Sequence, residues 1–445
     1  MKIFNSYTNS LETFVPYHEG QVSMYVCGPT VYNYIHIGNA RPVVFFDVVR
    51  RYFEAIGFTV KFVSNFTDVD DKIIQKAISE GVSELDVSNR FIAAFLADVE
   101  KLGSKTDYIK PRVTEYMPQI IAYIQEMVNK GFAYIVDGDV FFSVDKIPEY
   151  GKLSNRKLDD LLSGSRIEVN DKKKNPLDFV LWKRTVEGVH WNSPFSVGRP
   201  GWHTECVTMI DDIFSEEIDI HGGGIDIMFP HHENEIAQSL ACKGHRCAKI
   251  WMHNGRLNLE GEKMSKSEGN VVWVKDLSVD PMAFRMFLLS THYRAPIAYS
   301  QDSLDSYVNE WQRLKKSVIG IFVTLDYNSV YHINCEITDP DITAIISAFT
   351  ESMENDFNTA NALTAVNQAL KIINNLMRQK TDYERMNQIL KAMNYMLMIL
   401  GLSIDQVPLT ANDKDLLARW EAARKAKDFQ LADVLRNELA HKNLV

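Results

Sequence analysis

The sequence predicts an α/β protein with a doubly wound parallel sheet, an insertion within that sheet, and a helical bundle towards the C-terminus. A short apolar strand at 24–27, an amphipathic helix and a second strand at 59–64 predict the sheet. Such a strand–helix–strand unit joins parallel strands, and it indicates alternating strands and helices. Apolar residues at helical spacing around 363–377 and 386–400 predict the bundle.

The first strand–helix–strand unit can be followed residue by residue. Strand 24–27 runs into a turn at 28–30, and a helix is predicted to start near Asn39. We expect it to stop at Gly57, since glycine favours the left-handed conformation that ends helices. Residues 59–64 alternate and are rich in β-forming types. One face of the helix carries Phe45, Val49, Tyr52 and Ile56.

The alternation of strands and helices is interrupted at residues 106–196. Two runs of β-forming residues, at 133–136 and 139–144, flank an Asp-Gly pair that is typical of a hairpin turn. A hairpin inside an α/β domain indicates an insertion. The α/β pattern resumes at 217–221, a predicted strand that leads into three glycines.

The C-terminal part is predicted to be helical. Two helices have apolar residues at alternating steps of three and four, and Gly401 follows the second as a stop signal. A last helix is predicted from about Asp413 to Ala440, where both charge signs interleave. The apolar positions are Leu363, Val366, Leu370, Ile373 and Met377, then Met386, Leu390, Met393, Leu397 and Leu400.

Length, composition and charge restrict the kinds of protein that this chain can be. The 445 residues suggest two to four domains, and 46% apolar with 24% charged residues is typical of a soluble globular protein. There is no apolar run of membrane-spanning length and no signal peptide, so a cytoplasmic location is expected. Five widely spaced cysteines indicate free or metal-bound thiols. The net charge of −10 does not suggest a nucleic-acid binder, although a local basic surface can coexist with it.

The first candidate phosphate-binding segment is His36-Ile37-Gly38-Asn39, between the first strand and its helix. Backbone N–H groups at a helix start carry partial positive charge and bind phosphate. Gly38 permits close approach to the backbone, and His36 can donate a hydrogen bond to a phosphate oxygen. Alone, the segment is a weak signal, because a histidine before a helix is more often a cap or a surface residue.

The second candidate segment has two lysines three residues apart with a serine between them, and a glycine soon after. Nucleotidyl transfer is catalysed mostly by positioning and by cations that meet developing charge, so these lysines could cradle a departing pyrophosphate. The alternative is a solvated basic loop. The segment is Lys263, Met264, Ser265, Lys266 and Ser267.

Two cysteines, a histidine and a glutamate form a candidate zinc set. Cys27 ends the first strand, and Cys206 lies in a block that begins at Gly198. His231 and Glu235 are four residues apart at a predicted helix start, which places both on one face. Thiolate, imidazole and carboxylate groups are the ligands that zinc accepts in proteins.

Spacing leaves alternatives open. His232 or Glu233 could replace a neighbour as the ligand, and a purely structural site would have the same pattern. A rival cluster at 242–247, Cys-Lys-Gly-His-Arg-Cys, has loosely finger-like spacing but lacks partners nearby. Cys335 is interpreted as a packing residue.

As a pair, the two phosphate-binding segments resemble the paired motifs of class I aminoacyl-tRNA synthetases. Further segments resemble the cysteinyl-tRNA synthetase family of that class, closely over residues 1–310 and more loosely in the helical region. The resemblance implies a Rossmann-like catalytic domain. The segments that carry it are 25–32, 65–72, 177–183, 198–206, 221–235 and 292–294.

The resemblance also implies roles for individual residues. It implies one zinc ion per chain, bound by Cys27, Cys206, His231 and Glu235, with the substrate thiolate joining the metal. The implied catalytic residues are His36, Asn39, Lys263 and Lys266. The implied ATP-binding residues are Pro29, Thr30, His36, Gly38, Asn39, Lys263, Met264, Ser265, Lys266 and Ser267. The implied amino acid pocket contains Gly28, Thr67, Trp202, His221 and Asp226.

The implied activity is ATP-dependent conversion of L-cysteine to cysteinyl adenylate, followed by transfer to the 3′ end of tRNA(Cys). Mg²⁺ is expected to accompany ATP. Because zinc prefers sulfur, binding alone should reject serine, and no editing site is expected. A monomer without membrane association is expected.

The expected domains follow the same resemblance. The two halves of the Rossmann catalytic domain flank a connective insertion. After them come the loop of the second motif with a stem-contact region, a tRNA-binding helical bundle and an anticodon-binding region. Their ranges are 1–105, 106–196, 197–262, 263–320, 321–402 and 403–445 in chain order.

The sequence departs from the family at two places. Asn39 stands where the first motif commonly ends in His, but asparagine can still donate a hydrogen bond and cap a helix. The role is expected to survive with altered strength. Relatives usually carry a further short tail, so the anticodon-binding region is expected to be shorter or incompletely represented.

Three rival functions fit parts of the pattern. A cysteine ligase that transfers the adenylate to an amino-sugar would share both motifs but would lack the helical region. A catalytically silent zinc module that binds RNA would not need intact motifs. An unrelated nucleotidyltransferase would share the first segment and leave the zinc set unexplained.

Overall fold

A computed structural model describes most of the chain and divides it into two compact units. The first unit is 1–277 with 293–297, and the second is 278–292 with 298–445. The second predicted motif, at 263–267, lies outside the described residues. The described residues are 1–155, 171–259, 271–379, 382–442 and 444.

Both units are built from regular elements. The strands are β1 (Lys2–Asn5), β2 (Ser10–Thr13), β3 (Gln21–Val26), β4 (Thr59–Ser64), β5 (Ala133–Val136), β6 (Asp139–Phe142), β7 (Phe179–Arg184), β8 (Trp191–Asn192), β9 (Val197–Pro200), β10 (Ile218–Gly224), β11 (Ala248–Asn254), β12 (Leu257–Leu259) and β13 (Ile297–Tyr299). The helices are α1 (Ile37–Ala55), α2 (Asp71–Glu80), α3 (Glu84–Lys101), α4 (Met117–Asn129), α5 (Trp202–Phe214), α6 (Glu233–Lys243), α7 (Pro281–Leu289), α8 (Gln301–Tyr327), α9 (Pro340–Glu354), α10 (Thr359–Gln379), α11 (Tyr383–Leu400), α12 (Ala411–Lys425) and α13 (Phe429–His441).

The first unit is organised around a parallel sheet with strand order β11-β10-β3-β4. The predicted parallel pairing through α1 is confirmed, because β3 pairs with β4 in parallel from Gln21 opposite Thr59 to Val26 opposite Ser64. The strand predicted at 217–221 is β10, and it extends through the three glycines. The α/β class is therefore confirmed.

Helices cover both faces of this sheet. His221 lies opposite Tyr25 in the ladder, on the face where the Tyr25 hydroxyl donates to Met209 of α5, 3.5 Å away. The next residue, Gly222, points to the other face and meets Phe46 of α1. Since the glycine lacks a side chain, α1 can approach the sheet closely.

An antiparallel sheet with strand order β5-β6-β7-β9-β8 is inserted between β4 and β10. The predicted hairpin is confirmed, with Ala133 opposite Phe142 and Val136 opposite Asp139 across the Asp-Gly turn. The buried carboxylate of Asp178 joins parts of this sheet: it accepts hydrogen bonds from the Val144 amide at 3.0 Å and the Tyr134 hydroxyl at 2.7 Å.

The second unit is helical, as predicted. The long helix α8 packs against α7, α10 and α11, and Gly401 ends α11 in the left-handed conformation with φ 65°. The single last helix predicted from Asp413 to Ala440 is wrong. Lys427 adopts a left-handed φ of 59°, and the Asp428 side chain accepts from the Leu431 amide and starts a new helix. Among the described helices, none is both long and apolar enough to cross a membrane.

We expect Gly222→Ala to disrupt the contact between α1 and the sheet. A Cβ atom at this position would lie 2.1 Å from the Phe46 ring, far inside van der Waals contact. Overpacking of this kind should lower the melting temperature of the protein by about 5 °C in a thermal scan.

Gly320→Ala is the control for this substitution. Gly320 lies inside the helix α8, and a Cβ atom there would be 3.5 Å from Met377, an ordinary van der Waals contact. Alanine should therefore be neutral or slightly stabilising at this position. Equal melting temperatures for the two variants would contradict the proposed role of Gly222.

Candidate active site and metal centre

The carboxyl ends of the parallel strands border a cavity of about 480 Å³. It opens where the chain leaves β3 and β10, neighbouring strands whose connections run in opposite directions, which is the usual ligand position in open α/β sheets. The cavity brings together many of the predicted site residues. These are Cys27, Gly28, Pro29, His36, Gly38, Asn39 and Asp226.

The first predicted motif forms the N-terminus of α1. His36 is the residue before the helix, and its Nδ1 accepts a hydrogen bond from the Gly38 amide at 3.1 Å. Asn39 lies in the first turn and is exposed at the cavity. Because Nδ1 is used by the cap, a hydrogen bond from this ring to a phosphate would come from Nε2.

The chain on both sides of the second predicted motif reaches the first one. Before it, residues 254–258 line the cavity. After it, the Ile37 amide donates to the Val272 carbonyl at 3.0 Å, and the Val274 amide donates to the Ile35 carbonyl at 3.0 Å. The ends that flank the undescribed residues are therefore anchored at the start of α1.

The four predicted zinc ligands lie together. One ligand atom from each of Cys27, Cys206, His231 and Glu235 can be chosen so that all lie within 4.8 Å of one another. The two sulfur atoms are 3.6 Å apart, and Cys27 Sγ is 3.5 Å from Glu235 Oε1. His231 Nε2 is 2.7 Å from the same oxygen. The three residues other than Cys27 are buried.

Charge is distributed unevenly in this cluster. Burial lowers the pKa of the His231 imidazole, but the interactions that raise it, first among them that with the nearby Glu235 carboxylate, together outweigh burial, and the resulting pKa is raised to about 10. A hydrogen bond from Cys27 lowers the pKa of the Cys206 thiol to about 6, although burial opposes it. Burial raises the pKa of Cys27 well above its usual value. The two thiols shift in opposite directions, and Cys27 donates the hydrogen bond that Cys206 accepts.

The structure groups the alternatives that spacing left open. His232 belongs to a second group that satisfies the same distance limit, with Cys27, His221 and Glu235. Its Nε2 is 3.3 Å from Cys27 Sγ, and its Nδ1 is 2.8 Å from His253 Nε2. Glu233 is in neither group, because its carboxylate accepts hydrogen bonds from backbone amides.

The rival cluster at 242–247 does not assemble. Among the described residues, Cys242, His245 and Cys247 do not belong to any group of three or more close donors. The Cys242 thiol instead contacts the Tyr123 carbonyl at 3.9 Å in the core.

Three residues of the predicted amino acid pocket lie close to the candidate zinc ligands. The Trp202 ring stacks on His231 with 4.3 Å between ring centroids, and it is 41% exposed. His221 is fully buried, with Nε2 2.5 Å from Glu235 Oε2. The Thr67 hydroxyl donates to Glu205 Oε2 at 2.9 Å. Asp226 lies farther away, at the cavity next to Gly224.

Four further residues at the site were not predicted. Asn65 Oδ1 accepts from the Gly28 amide at 2.9 Å, and Glu205 binds Thr67. His203 Nδ1 is 3.1 Å from His231 Nδ1, and His253 contacts His232. His203 and Glu205 lie in the same block as Cys206, so that block could have drawn attention to them. For Asn65, the position just after the predicted strand at 59–64 was the available signal, whereas His253 lies inside β11, which was not predicted.

Comparison with family models agrees with this geometry. Residues 13–309 match the model of tRNA synthetases class I (C) catalytic domain, and residues 348–405 match the DALR domain. The first match covers the parallel sheet, the insertion and the four candidate zinc ligands.

Named proteins with similar sequences match the chain over its whole length. The chain is 45% identical over 457 residues to the cysteine–tRNA ligase of Lachnoclostridium phytofermentans, covering 100% of this chain and 97% of the relative. It is also 45% identical over 450 residues to that of Anoxybacillus flavithermus, with the same coverage.

Solved structures show the same fold at low sequence identity. Mycobacterium tuberculosis methionyl-tRNA synthetase with methionyl-adenylate is 15% identical with a TM-score of 0.60, over 85% of this chain and 89% of that chain. A LeuRS–tRNA–LeuAMS complex from Agrobacterium radiobacter K84 is 11% identical with a TM-score of 0.64, over 88% and 87%. With the matching family models and the 45% identity across its whole length, the chain belongs to the cysteine–tRNA ligase family of class I aminoacyl-tRNA synthetases.

Proposed function

We propose that this chain joins L-cysteine to tRNA(Cys) in two steps at the cavity beside β3, and that a zinc ion selects the cysteine. The observation that carries the proposal is the meeting of two sulfur donors, an imidazole and a carboxylate at the border of a cavity that begins at a helix N-terminus. The cluster of donor atoms suits a metal that binds a thiol substrate, and the helix N-terminus suits the phosphates of ATP.

The donor set fits zinc. Tetrahedral zinc with sulfur, nitrogen and oxygen ligands places neighbouring donors about 3.3–3.8 Å apart. The separations of Cys27 Sγ from Cys206 Sγ and from Glu235 Oε1, 3.6 and 3.5 Å, fall in that range. The separation of His231 Nε2 from Glu235 Oε1, 2.7 Å, is shorter, so these two donors would have to move apart to bind one ion. Within the described part of the chain, the buried His231 Nε2 has an ionic contact with Glu235 but no well-directed hydrogen bond. A cation would satisfy that nitrogen.

We assign the zinc to Cys27, Cys206, His231 and Glu235 rather than to the group with His221 and His232. The first group offers two thiols, which zinc prefers, and the second offers one.

The bound zinc would accept the substrate thiolate as a ligand and favour its deprotonated form. Serine offers a neutral hydroxyl, which is a weaker ligand, so discrimination does not need a hydrolytic site. Thr67, Trp202 and His221 surround the cluster and would shape the pocket for a short side chain, while Gly28 and Asp226 border the cavity.

In the first step, a carboxylate oxygen of cysteine attacks the α-phosphorus of ATP, and the bond to pyrophosphate breaks. Pro29, Thr30, His36, Gly38 and Asn39 would hold the nucleotide near the start of α1, and Lys263, Met264, Ser265, Lys266 and Ser267 would bind its phosphates. His36, Asn39, Lys263 and Lys266 stabilise the negative charge that develops on the leaving group. Mg²⁺ is proposed to accompany ATP.

In the second step, a hydroxyl of the terminal ribose of the tRNA attacks the adenylate carbonyl. An ester forms, the bond to AMP breaks, and the hydroxyl proton is released. The helical second unit, which includes the DALR match, is proposed to bind tRNA. We propose that the protein acts as a monomer in the cytoplasm.

The function is tested by charging purified tRNA with radiolabelled cysteine and with serine as competitor. Cysteinyl-tRNA should form at a rate at least about 10⁴ times that of seryl-tRNA, as expected for a site that binds the distinguishing group directly. Cysteine-dependent ATP–pyrophosphate exchange without transfer to tRNA would contradict the second step.

Cys206→Ser should reduce both bound zinc and cysteine activation. Removal of one of two sulfur ligands weakens the metal site, and kcat/KM for cysteine in pyrophosphate exchange should fall by about 10²-fold or more. Cys335→Ser, which changes a half-buried thiol outside the described metal groups, is the control and should retain both. Full zinc content and wild-type exchange in Cys206→Ser would refute the assignment.

Lys266→Ala should lower kcat in pyrophosphate exchange by about 10²–10³-fold, because a cation that meets charge in the transition state is lost. Lys275→Ala is the control, since the Lys275 ammonium is exposed and bound to Asp276 at 2.7 Å. We expect that control to keep its rate, and a wild-type rate in Lys266→Ala would remove the lysine from the mechanism.

A further inference from the structure

Glu233 lies between the proposed zinc ligands His231 and Glu235, yet it faces away from them. Its Oε1 accepts a hydrogen bond from the Leu153 amide at 3.3 Å, and its Oε2 accepts one from the Ser154 amide at 2.9 Å. The residue is 1% exposed. A buried carboxylate with two backbone donors is a fixed connection between the start of α6 and a segment about 80 residues earlier in the chain.

The neighbouring residue makes a second connection to the same segment. Asn234 Oδ1 accepts from the Tyr150 hydroxyl at 2.6 Å, and both side chains are buried. On the inner side of the helix, Gln238 Nε2 donates to the carbonyls of His203 and Asn234 at 2.8 and 3.0 Å. The first turn of α6 is therefore held from two directions.

Within the described chain, the residue before α6, His232, makes no capping hydrogen bond with its side chain. His231 lies in the helical turn Met228–His232 that leads directly into α6, four residues before Glu235. Rotation or sliding of the start of α6 would therefore move both donors. Metal ligands must be held within about 0.5 Å of their working positions, so the outer connection controls the donor geometry.

We propose that Glu233 is a positioning residue for zinc: it fixes the turn that carries His231 and Glu235 by binding the backbone at 153–154 of the inserted region. The proposal rests on the proposed function, because it takes the zinc site as given. It adds a residue that does not touch the metal and that joins the insertion to the metal site.

Glu233→Gln tests the proposal against Asp178→Asn as a matched control. Asp178 is also 1% exposed and accepts hydrogen bonds from backbone amides, of Val144 and Asn175, but it is not attached to α6. Both changes replace one acceptor oxygen with an amino group. Zinc affinity is measured on the full chain by competition with a chromophoric chelator, and thermal melting is measured in parallel.

We expect Glu233→Gln to weaken zinc binding by about 10–100-fold, as loss of an outer partner does at other metal sites. Asp178→Asn should lower the melting temperature but leave the zinc dissociation constant within about twofold of wild type, because the hydrogen bonds described for its carboxylate go to Tyr134, Val144 and Asn175 and not to α6. In cobalt-loaded protein, only Glu233→Gln should alter the thiolate–cobalt absorption bands.

Two results would overturn the proposal in distinguishable ways. The positioning role alone is overturned if Glu233→Gln binds zinc as tightly as wild type. It is also overturned if Asp178→Asn weakens zinc binding as much as Glu233→Gln does. Failure of wild-type protein to bind zinc overturns the metal assignment on which the role rests.

If Glu233→Gln does not fold, Tyr150→Phe provides the same test through the second connection. It removes only the hydroxyl that binds Asn234. A weakening of zinc binding of about threefold or more supports the proposal, in line with the smaller contribution of one neutral hydrogen bond, and no change opposes it.

Discussion

The site depends on the buried carboxylate of Glu235. One of its oxygens contacts His231 at 2.7 Å, and the other contacts His221 at 2.5 Å. A charge with no exposure to water is tolerated only with close partners of opposite charge or strong donors. These contacts hold the pKa of Glu235 well below its usual value, although burial acts against them. The helix α6, strand β10 and the end of β3 must therefore meet at one point.

The parallel sheet makes that meeting possible. Cys27 follows β3 directly, and its amide donates to the Gly222 carbonyl of β10 at 3.1 Å. Since parallel strands place their carboxyl ends on one edge, Cys27 of the donor cluster and the start of α1 border the same cavity. The groups proposed to select a thiol and those proposed to bind phosphate are neighbours because both lie at this edge.

The insertion takes part in the site through its backbone. Residues 149–154 reach the first turn of α6 through Glu233 and Asn234. Several charged side chains in this region serve to hold backbone rather than to bind ligands, as Asp178 also does. A charged residue beside a metal ligand in sequence is thus not necessarily a ligand, because its oxygens can be fully used by amide donors.

The sequence by itself determined the elements and the chemistry of the donors. Periodicity predicted β4, the hairpin β5–β6 and the helices α10 and α11, because apolar spacing follows directly from local geometry. It could not choose between His231, His232 and Glu233, which are adjacent residues of ligand type, or find the partners Asn65 and His203. It also missed the break at Lys427, because alternating charges on an exposed helix do not mark where it ends.

Tertiary structure alone decided which donors share one point in space. Cys27, Cys206 and Glu235 come from three separate elements, and their separations depend on how helices pack on both faces of the sheet. The same packing turns Glu233 towards the backbone of the insertion and His231 towards the thiols. Local sequence encodes which groups are present, whereas long-range packing sets their distances, since contacts between residues far apart in the chain have no local signature.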